Sequence, residues 1–358
     1  MIIDLPNTKT KDIERRIRAL REERGDVTSG RVLTLIVVTS EDDDLDRIIS
    51  STHDASREHP ARVIVLVTHR SEESLLDAQL RIGGDAGASE IIIMHLHGEL
   101  SANRASVVTP LLLPDTPIVA WWPGTGPRNP AADPIGALAT RRITDSLTDE
   151  DEDALYRRRM TYTRGDSDMV WSRITLWRGL LASALDQPPH HPIVSAEVWG
   201  PKHDPSVDIA AGWLAERLDV PLTRHVTVDG RYGEDAEGNR LISIEKAVLH
   251  RQVGAIEVEA IDANTVSLTV GDQKSMVTLG RRALADCLAE ELRHLDPDYA
   301  FGHALRGLVR VNRPDRGPRT SQYRGAQTPG PQEDKLDRWT SRDARETYNT
   351  FDGQESLR

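Results

Sequence analysis

The chain has 358 residues, a formal charge of −12 and one cysteine, Cys287. The acidic balance argues against nucleic acid or an anionic membrane as partner, because both require a basic face, and a lone thiol excludes an intrachain disulfide or a cysteine-based metal cluster. No apolar run approaches the ~20 residues of a bilayer span, and no export signal is visible at the start, so we expect a cytoplasmic protein.

Strands and helices are predicted to alternate through the first half. A near-continuous apolar run at 32–39 is typical of a strand that is buried on both faces of a sheet. Ser40 is predicted to cap the next helix, because the acids that follow it would face the positive end of the helix dipole. Further elements predicted here are helices at 10–25, 71–82 and 104–112 and strands at 62–67, 90–96 and 118–122. The alternation predicts an α/β fold with a doubly wound, mainly parallel sheet.

A polar segment follows this half. The loop at 123–136 is rich in Gly and Pro and is long for a compact domain, which is typical of functional or mobile connections. Thr148 is predicted to cap a helix that begins with acids at 149–153 and ends with arginines at 157–159, in agreement with the helix dipole. We interpret this helix as an exposed bridge between domains, because runs of charge are usually solvated faces.

The second half mixes helices with strands. The elements predicted are helices at 168–185, 205–218, 281–295 and 299–309 and strands at 193–199, 224–228, 255–261, 265–270 and 275–279. Turn signals at 262–264 and 271–272 indicate that the last three strands form an antiparallel meander. From Asn312 to Gln332 there is no Val, Ile, Leu, Met or Phe, which predicts a disordered tail.

These patterns predict a chain of successive segments. They are 1–147, a Rossmann-like α/β domain with an N-terminal helix; 148–167, a polar connecting helix and linker; 168–311, a mixed α/β (α+β) domain; and 312–358, a polar tail predicted to be disordered.

Motifs that would indicate an enzyme are missing from the sequence. The segment after the first long strand, 39–44, has acids where a dinucleotide fingerprint has glycines. There is no P-loop, nucleophile elbow or His-Glu-x-x-His, so we expect no catalytic residues, cofactor or metal. His95 and His97 are predicted to lie on the same side of a strand, but no third metal ligand is indicated. Cys287 lies on the apolar side of its predicted helix, where a buried thiol is unreactive.

Tryptophan and arginine occur together in two regions. The chain has seven tryptophans but two phenylalanines, and Trp and Arg dominate interface hot spots. Neighbouring strand residues point to opposite faces, so one of two adjacent indoles is predicted to be exposed. The alternative is that the indoles are buried and the arginines pair with nearby acids. The candidate partner-binding residues are Trp121, Trp122, Arg141, Arg142, Trp171, Arg173, Trp177 and Arg178.

Four stretches in order resemble the glucose-6-phosphate dehydrogenase assembly protein (OpcA) family. They are GRVLTLIV at 30–37, EHPARVI at 58–64, PIVAWWPG at 117–124 and WSRITLWR at 171–178. The double Trp-Pro is the most specific of them. The resemblance extends from Met1 to about Val311 and leaves out the tail.

The resemblance implies a non-catalytic partner of glucose-6-phosphate dehydrogenase. Such a protein would bind the dehydrogenase and act as its assembly factor and allosteric activator, at the entry to the oxidative pentose phosphate pathway and NADPH supply. The family supplies no catalytic residues, and the composition suits an actinobacterial source. Cyanobacterial relatives are thought to respond to thioredoxin through cysteines, which the single Cys287 does not permit by an intrachain disulfide.

A second hypothesis follows from the residues alone. Arginines near a strand end are suited to hold a phosphate or a carboxylate. The chain would then be an enzyme or sensor that binds a sugar phosphate or nucleotide in a strand-end crevice near Trp122 and Arg141.

Overall fold

The computed structural model describes residues 1–24, 32–82, 90–227 and 241–314, which belong to one compact unit with two mixed sheets. The predicted helix end at Gly25 and the predicted tail from residue 315 onward lie outside the described residues. No described helix has both the length and the apolar character needed to cross a membrane.

The first sheet is built from the first half of the chain. Its described strands are β1 (Ile2–Leu5), β2 (Leu33–Ser40), β3 (Ala61–Thr68), β4 (Leu76–Ile82), β5 (Glu90–Leu96), β6 (Ile118–Trp121), β7 (Arg141–Thr144) and β8 (Asp166–Asp168). Their spatial order is β1-β4-β5-β3-β2-β6-β7-β8. The strands from β5 to β8 in this order are parallel, whereas β4 is antiparallel to both β5 and β1. The order reverses direction between β2 and β6, which defines the switch point of the sheet.

The second sheet is built from the second half. Its described strands are β9 (Ile193–Gly200), β10 (Leu222–Val226), β11 (Lys246–Arg251), β12 (Ala255–Asp262), β13 (Thr265–Val270), β14 (Gln273–Thr278) and β15 (Val311–Asn312). Their spatial order is β14-β13-β12-β11-β9-β10-β15. The run from β14 to β9 is antiparallel, and β10 is parallel to both of its neighbours.

Helices cover both faces of the first sheet. The described helices are α1 (Thr10–Arg24), α2 (Leu45–Glu58), α3 (Glu99–Ala102), α4 (Arg104–Val108), α5 (Ala154–Thr161), α6 (Met169–Arg173), α7 (Thr175–Leu185), α8 (Pro205–Leu218), α9 (Leu284–Arg293) and α10 (Tyr299–Gly307). Apolar residues of α1 and α4 join the core on one face, and those of α2 and α9 join the core on the other. The predicted doubly wound α/β fold is therefore confirmed, with one covering helix, α9, supplied by the second half of the chain.

The predicted N-terminal helix packs on its own chain. Ile13, Ile17 and Leu20 of α1 are buried in the core of the first sheet. The narrow apolar stripe of this helix thus serves internal packing, which is its usual role.

The prediction of a helix at 71–82 is wrong. Leu76, Ala78, Leu80 and Ile82 alternate with more exposed residues along β4. This period of two is the pattern of a strand. β4 pairs antiparallel with β5, and antiparallel neighbours can be joined without a crossover helix between them. Five further strands were not predicted from the sequence: β1, β7, β8, β11 and β15. With β11, the predicted meander gains a strand.

Helix starts also differ from the predictions. Asp44, not Ser40, caps α2, because its carboxylate accepts a hydrogen bond from the Arg47 amide. The predicted helix after Thr148 begins only at Ala154, with Asp153 at its N-cap position. It is not an exposed bridge, because Leu155 joins the core of the second sheet.

The helix predicted at 168–185 is interrupted. It consists of α6 and α7, and Ile174 lies between them with a backbone that is not helical. Asp168 caps α6, since its carboxylate accepts a hydrogen bond from the Val170 amide. The division of the chain at 147, 167 and 311 stays a prediction.

Candidate functional site

The adjacent indoles lie at the carboxyl end of β6. Trp121 belongs to the core beneath α2 and α9, and Trp122 belongs to the core beneath α1 and α4. Both are buried, so the expectation that one of them is exposed is wrong. Successive residues do point to opposite faces, but helices cover both faces of this sheet.

The guanidinium groups of β7 are also buried. Arg141 donates to Glu291 Oε2 at 2.5 Å and to the Asp296 carbonyl at 3.0 Å, which connects β7 to α9 and the loop after it. Arg142 forms an ion pair with Asp166 and donates to two backbone carbonyls. Each positive charge therefore has an internal acceptor.

The candidate residues in α6 and α7 pack in the same manner. Trp171 donates through Nε1 to Asp298 Oδ2 at 2.8 Å, and the Arg178 guanidinium lies 3.6 Å from the centre of its indole ring. Arg173 forms two hydrogen bonds of 2.6 Å with the Asp145 carboxylate. Trp177 is buried in the core of the second sheet.

The tryptophan and arginine candidates thus form no continuous exposed surface. The buried alternative that the sequence left open describes their positions, and Arg178, with 20% of its side chain exposed, is the most accessible of the four arginines. Contact of these residues with a partner stays a prediction.

The strand register separates Trp122 from Arg141, the two residues near which a strand-end crevice is predicted. Arg141 pairs in register with Val119 at the amino end of β7, whereas Trp122 follows the carboxyl end of β6 and its amide donates to the Ile143 carbonyl. The two side chains therefore lie at different ends of short parallel strands. The spacing within each strand was visible in the sequence, but the register was not.

The switch point between β2 and β6 is occupied by protein atoms. The Asp43 carboxylate accepts hydrogen bonds from the Thr39 hydroxyl, the Ser40 amide and the Ser40 hydroxyl at 2.7, 2.7 and 2.9 Å. A Cβ atom at Gly124 would overlap the Asp43 carboxylate, so the two residues approach closely. Open α/β sheets bind phosphates of nucleotides at this position, and here a fixed negative charge fills it.

A histidine cluster lies at the carboxyl ends of β2, β3 and β5. His69 Nδ1 is 2.9 Å from Glu41 Oε2, and His69 Nε2 is 2.9 Å from His95 Nδ1. His97 stacks on His69 with 4.3 Å between ring centres. Burial and the neighbouring imidazoles lower the pKa of His95. Within the described residues, no group of His, Cys, Asp or Glu side chains is arranged to hold a metal ion.

The sequence pattern indicated part of this cluster. His95 and His97 were visible through their spacing on a strand. Glu41 and His69 were missed, although each directly follows an apolar run that ends at the same edge of a parallel sheet. That position was the available signal.

A cavity of about 200 Å³ lies between α6, α7 and the second sheet. Arg173, Arg281 and Arg282 contribute positive charge to its wall, and Trp177 and Ile244 contribute apolar surface. The Arg282 guanidinium also donates to the Ser172 carbonyl at 2.7 Å. Asp204 also lines the cavity, and Arg173 and Arg282 are paired with Asp145 and Glu290, so its polar side has three arginines and one acid beside an apolar side.

Two family models match the chain, and both describe a glucose-6-phosphate dehydrogenase subunit. Residues 52–160 match the N-terminal domain of that subunit, and residues 164–305 match its C-terminal domain. The matches are consecutive and together cover more than half of the chain. No curated protein sequence matches it.

Solved structures with a detectable likeness include oxidoreductases. A 3-ketoreductase from Actinomadura kijaniata, solved with NADP and TDP-benzene, shares 9% identity at a TM-score of 0.41, over 78% of this chain and 98% of that chain. A Gfo/Idh/MocA family oxidoreductase from Vibrio cholerae shares 9% identity at a TM-score of 0.34, over 76% of this chain and 94% of that chain. A myo-inositol dehydrogenase from Lactobacillus casei shares 11% identity at a TM-score of 0.33, over 78% of this chain and 93% of that chain. With TM-scores below 0.5, these likenesses carry no argument about function.

Proposed function

The chain belongs to the glucose-6-phosphate dehydrogenase assembly (OpcA) family, and we propose that it is a non-catalytic subunit that binds this dehydrogenase directly and activates it. The family match over both halves is the observation that carries the proposal. A protein with this role would act at the entry to the oxidative pentose phosphate pathway, in the cytoplasm, and would support NADPH production.

The closed switch point supports a non-catalytic role. A dehydrogenase of this fold class needs room for a pyrophosphate beside the first strand. In this chain the Asp43 carboxylate packs on Gly124 at that position. A bound pyrophosphate would have to displace a carboxylate that holds three hydrogen bonds and carries the same sign of charge.

Activation requires a difference in affinity. The bound chain shifts the dehydrogenase toward its active state only by as much as it binds that state more tightly than the inactive one. We place the contact at the segment 171–178 of the candidate set, because Arg178 keeps partial exposure there and the neighbouring Leu176 is 45% exposed. Arginine is enriched at interface hot spots, and Leu176 adds exposed apolar surface on the same helix.

The decisive experiment combines binding and rate. We expect the purified chain to retain the cognate dehydrogenase in a pull-down and to raise its initial rate of NADPH formation, while the chain alone forms no NADPH. Leu176→Glu should weaken both effects. Val309→Glu, at another exposed apolar position, should preserve both. Absence of association and of any rate change in the unsubstituted chain would contradict the proposal.

A second candidate function is supported by the cavity beside Arg173 and Trp177. Its basic and apolar sides favour a small phosphorylated ligand, such as a sugar phosphate or a nucleotide. Thermal-shift measurements without the dehydrogenase, with inorganic phosphate, sugar phosphates and NADP as probes, would test it. Stabilisation of the unsubstituted chain that is lost in Arg281→Gln would favour this function, and no shift with any probe would exclude it.

A further inference from the structure

The second sheet has one face that the described helices leave open. Its inner-facing residues, such as Val198, Leu249 and Ile256, belong to the core that α7, α8 and α10 complete. Val248 and Trp199 point to the other side and join none of the hydrophobic cores of the described residues. We call this second side the open face.

Strand register gives the composition of the open face. Its two central cross-strand rows are Met276, Ser267, Glu259, Lys246, Trp199 and His225, and Lys274, Thr269, Glu257, Val248, Glu197 and Thr223. Val248 lies on β11, the middle strand of the sheet, between Glu257 and Glu197. It is buried although it joins none of the hydrophobic cores of the described residues.

Charged groups on the open face are largely paired with each other. Lys246 forms ion pairs with Glu257 and Glu259. His225 Nε2 and His250 Nε2 lie 2.7 and 2.8 Å from the two oxygens of Glu197. With histidines taken as neutral, as in the −12 of the whole chain, the two rows hold two lysines and three glutamates and so carry a net charge of −1. The open face is therefore a surface on which a second, equally acidic molecule can approach with little repulsion.

Apolar groups occupy the spaces between these pairs. The Trp199 indole stacks on His225 with 4.7 Å between ring centres and has Lys246 at 5.9 Å from its centre. At the edge of the sheet, the Met276 side chain is 58% exposed. Met276, Trp199 and Val248 therefore give this mostly polar face apolar points of contact for another sheet.

The size of the open face suits a stable contact. Strands spaced about 4.8 Å apart and rising about 3.3 Å per residue give this sheet an area of roughly 30 by 20 Å. Two such faces together would bury on the order of 1,200 Å², the lower end of the range for specific interfaces.

We propose that two copies of this chain associate through their open faces. The contact is isologous, with β11 of each copy near the two-fold axis, so that each face meets an identical one. The occupant is a second copy because both molecules then present the same locally neutral surface, and the two sheets can stack about 10 Å apart without a helix between them. This inference does not depend on the proposed function.

The test is the mass of the purified full-length chain in sedimentation equilibrium, without dehydrogenase. We expect about twice 39.8 kDa at micromolar concentration. Met276→Glu should shift the mass toward 39.8 kDa, because two carboxylates would be placed on a neutral contact. Met160→Glu is the matched control, since Met160 is 75% exposed on α5 and the same substitution there should leave the mass doubled. A single cooperative thermal transition in each variant shows that both fold.

Other results would overturn the inference. A wild-type mass of 39.8 kDa up to 100 µM, or a doubled mass that survives Met276→Glu, shows that the open face does not hold a second copy. If the chain is monomeric and Met276→Glu abolishes its capture by the dehydrogenase, the open face is the docking site of that enzyme instead. If the chain dimerises only after it is truncated at Asn312, the open face of the full-length chain is covered by its own tail.

Discussion

Asp43 and Gly124 meet at the switch point of the first sheet. A Cβ atom on Gly124 would fall far inside van der Waals contact with Asp43 Oδ1. The two residues come from separate loops, after β2 and after β6, and their contact closes the position at which a related fold would hold a phosphate. Glycine is required here for close approach rather than for an unusual backbone angle.

We predict that Gly124→Ala destabilises the chain by about 1–3 kcal/mol, the range for overpacking. The Asp43 carboxylate cannot move away freely, because Thr39 and Ser40 hold it by hydrogen bonds. In an Asp43→Ala background the same substitution should cost much less. Urea unfolding of the four chains in this double-mutant cycle measures the coupling.

Gly179→Ala provides the control for that cycle. Gly179 lies in α7, and an added Cβ there has no neighbour within 4 Å. Alanine in this open helical position should stabilise the chain by about 0.5–1 kcal/mol. A Gly124→Ala cost that is unchanged in the Asp43→Ala background would refute the contact.

The ion pair between Arg141 and Glu291 leads to a second prediction. Both side chains are buried, and the pair joins the first sheet to α9. Burial raises the pKa of Glu291, and Arg141 opposes that rise. Arg141→Ala should therefore destabilise the chain by about 3–5 kcal/mol, because it leaves a buried carboxylate without its partner. Denaturant unfolding measures the loss.

Two comparisons separate burial from charge in this prediction. Arg141→Met combined with Glu291→Leu should recover most of the stability, since a buried pair can be replaced by apolar groups. Arg293→Ala breaks the exposed pair with Glu58 and should cost less than about 1 kcal/mol. Equal losses for Arg141→Ala and Arg293→Ala would contradict the structural role assigned to Arg141.

Cys287 supplies a third prediction. Burial raises the pKa of its thiol from 9.0 to about 11, so the native thiol is protonated at pH 8. It should react with a thiol reagent only as fast as the chain unfolds, and rapidly in urea. The folded state holds this proton more tightly than the unfolded state, so stability should fall as the pH rises from 9 toward 11.

Cys287→Ala isolates that effect from other groups that titrate at high pH. The variant should lose some stability at pH 7 from the cavity it creates, but its stability should decline less between pH 9 and 11. Rapid labelling of the native wild-type chain at pH 8 would show that the thiol is accessible.

Much of the first sheet was predictable from local pattern. The apolar runs of β2, β3 and β5 identify strands buried on both faces, because only a covered sheet tolerates such runs. β4 was missed because its alternating pattern was read as a helical one. The strands of the meander were found at their turns, whereas β11 was missed.

The candidate site was less predictable for a physical reason. Which side chains are exposed depends on what covers each face, and α9, which covers Trp121, lies more than 160 residues further along the chain. The pairing of Arg141 with Glu291 depends on the same long-range packing. Residue type alone therefore identified unusual tryptophans and arginines but could not distinguish a docking surface from an interior.

Glu197 on the open face leads to a pH-dependent prediction. Burial raises its pKa, and the hydrogen bonds with His250 and His225 more than offset that, so the pKa lies below the usual 4.5. The folded state thus favours the carboxylate, and the stabilisation is present above pH 4.5 and is lost as the pH falls through the lowered value. Glu197→Gln should lower the melting temperature at pH 6–7, and the gap from wild type should narrow progressively as the pH falls below 4.5. Both chains are compared at one concentration, because self-association would also shift the melting temperature.

Glu72→Gln, at an exposed position, should show no gap at any pH. A gap for Glu197→Gln that persists unchanged in acid would mean that the side-chain shape, and not the ionised carboxylate, stabilises this face.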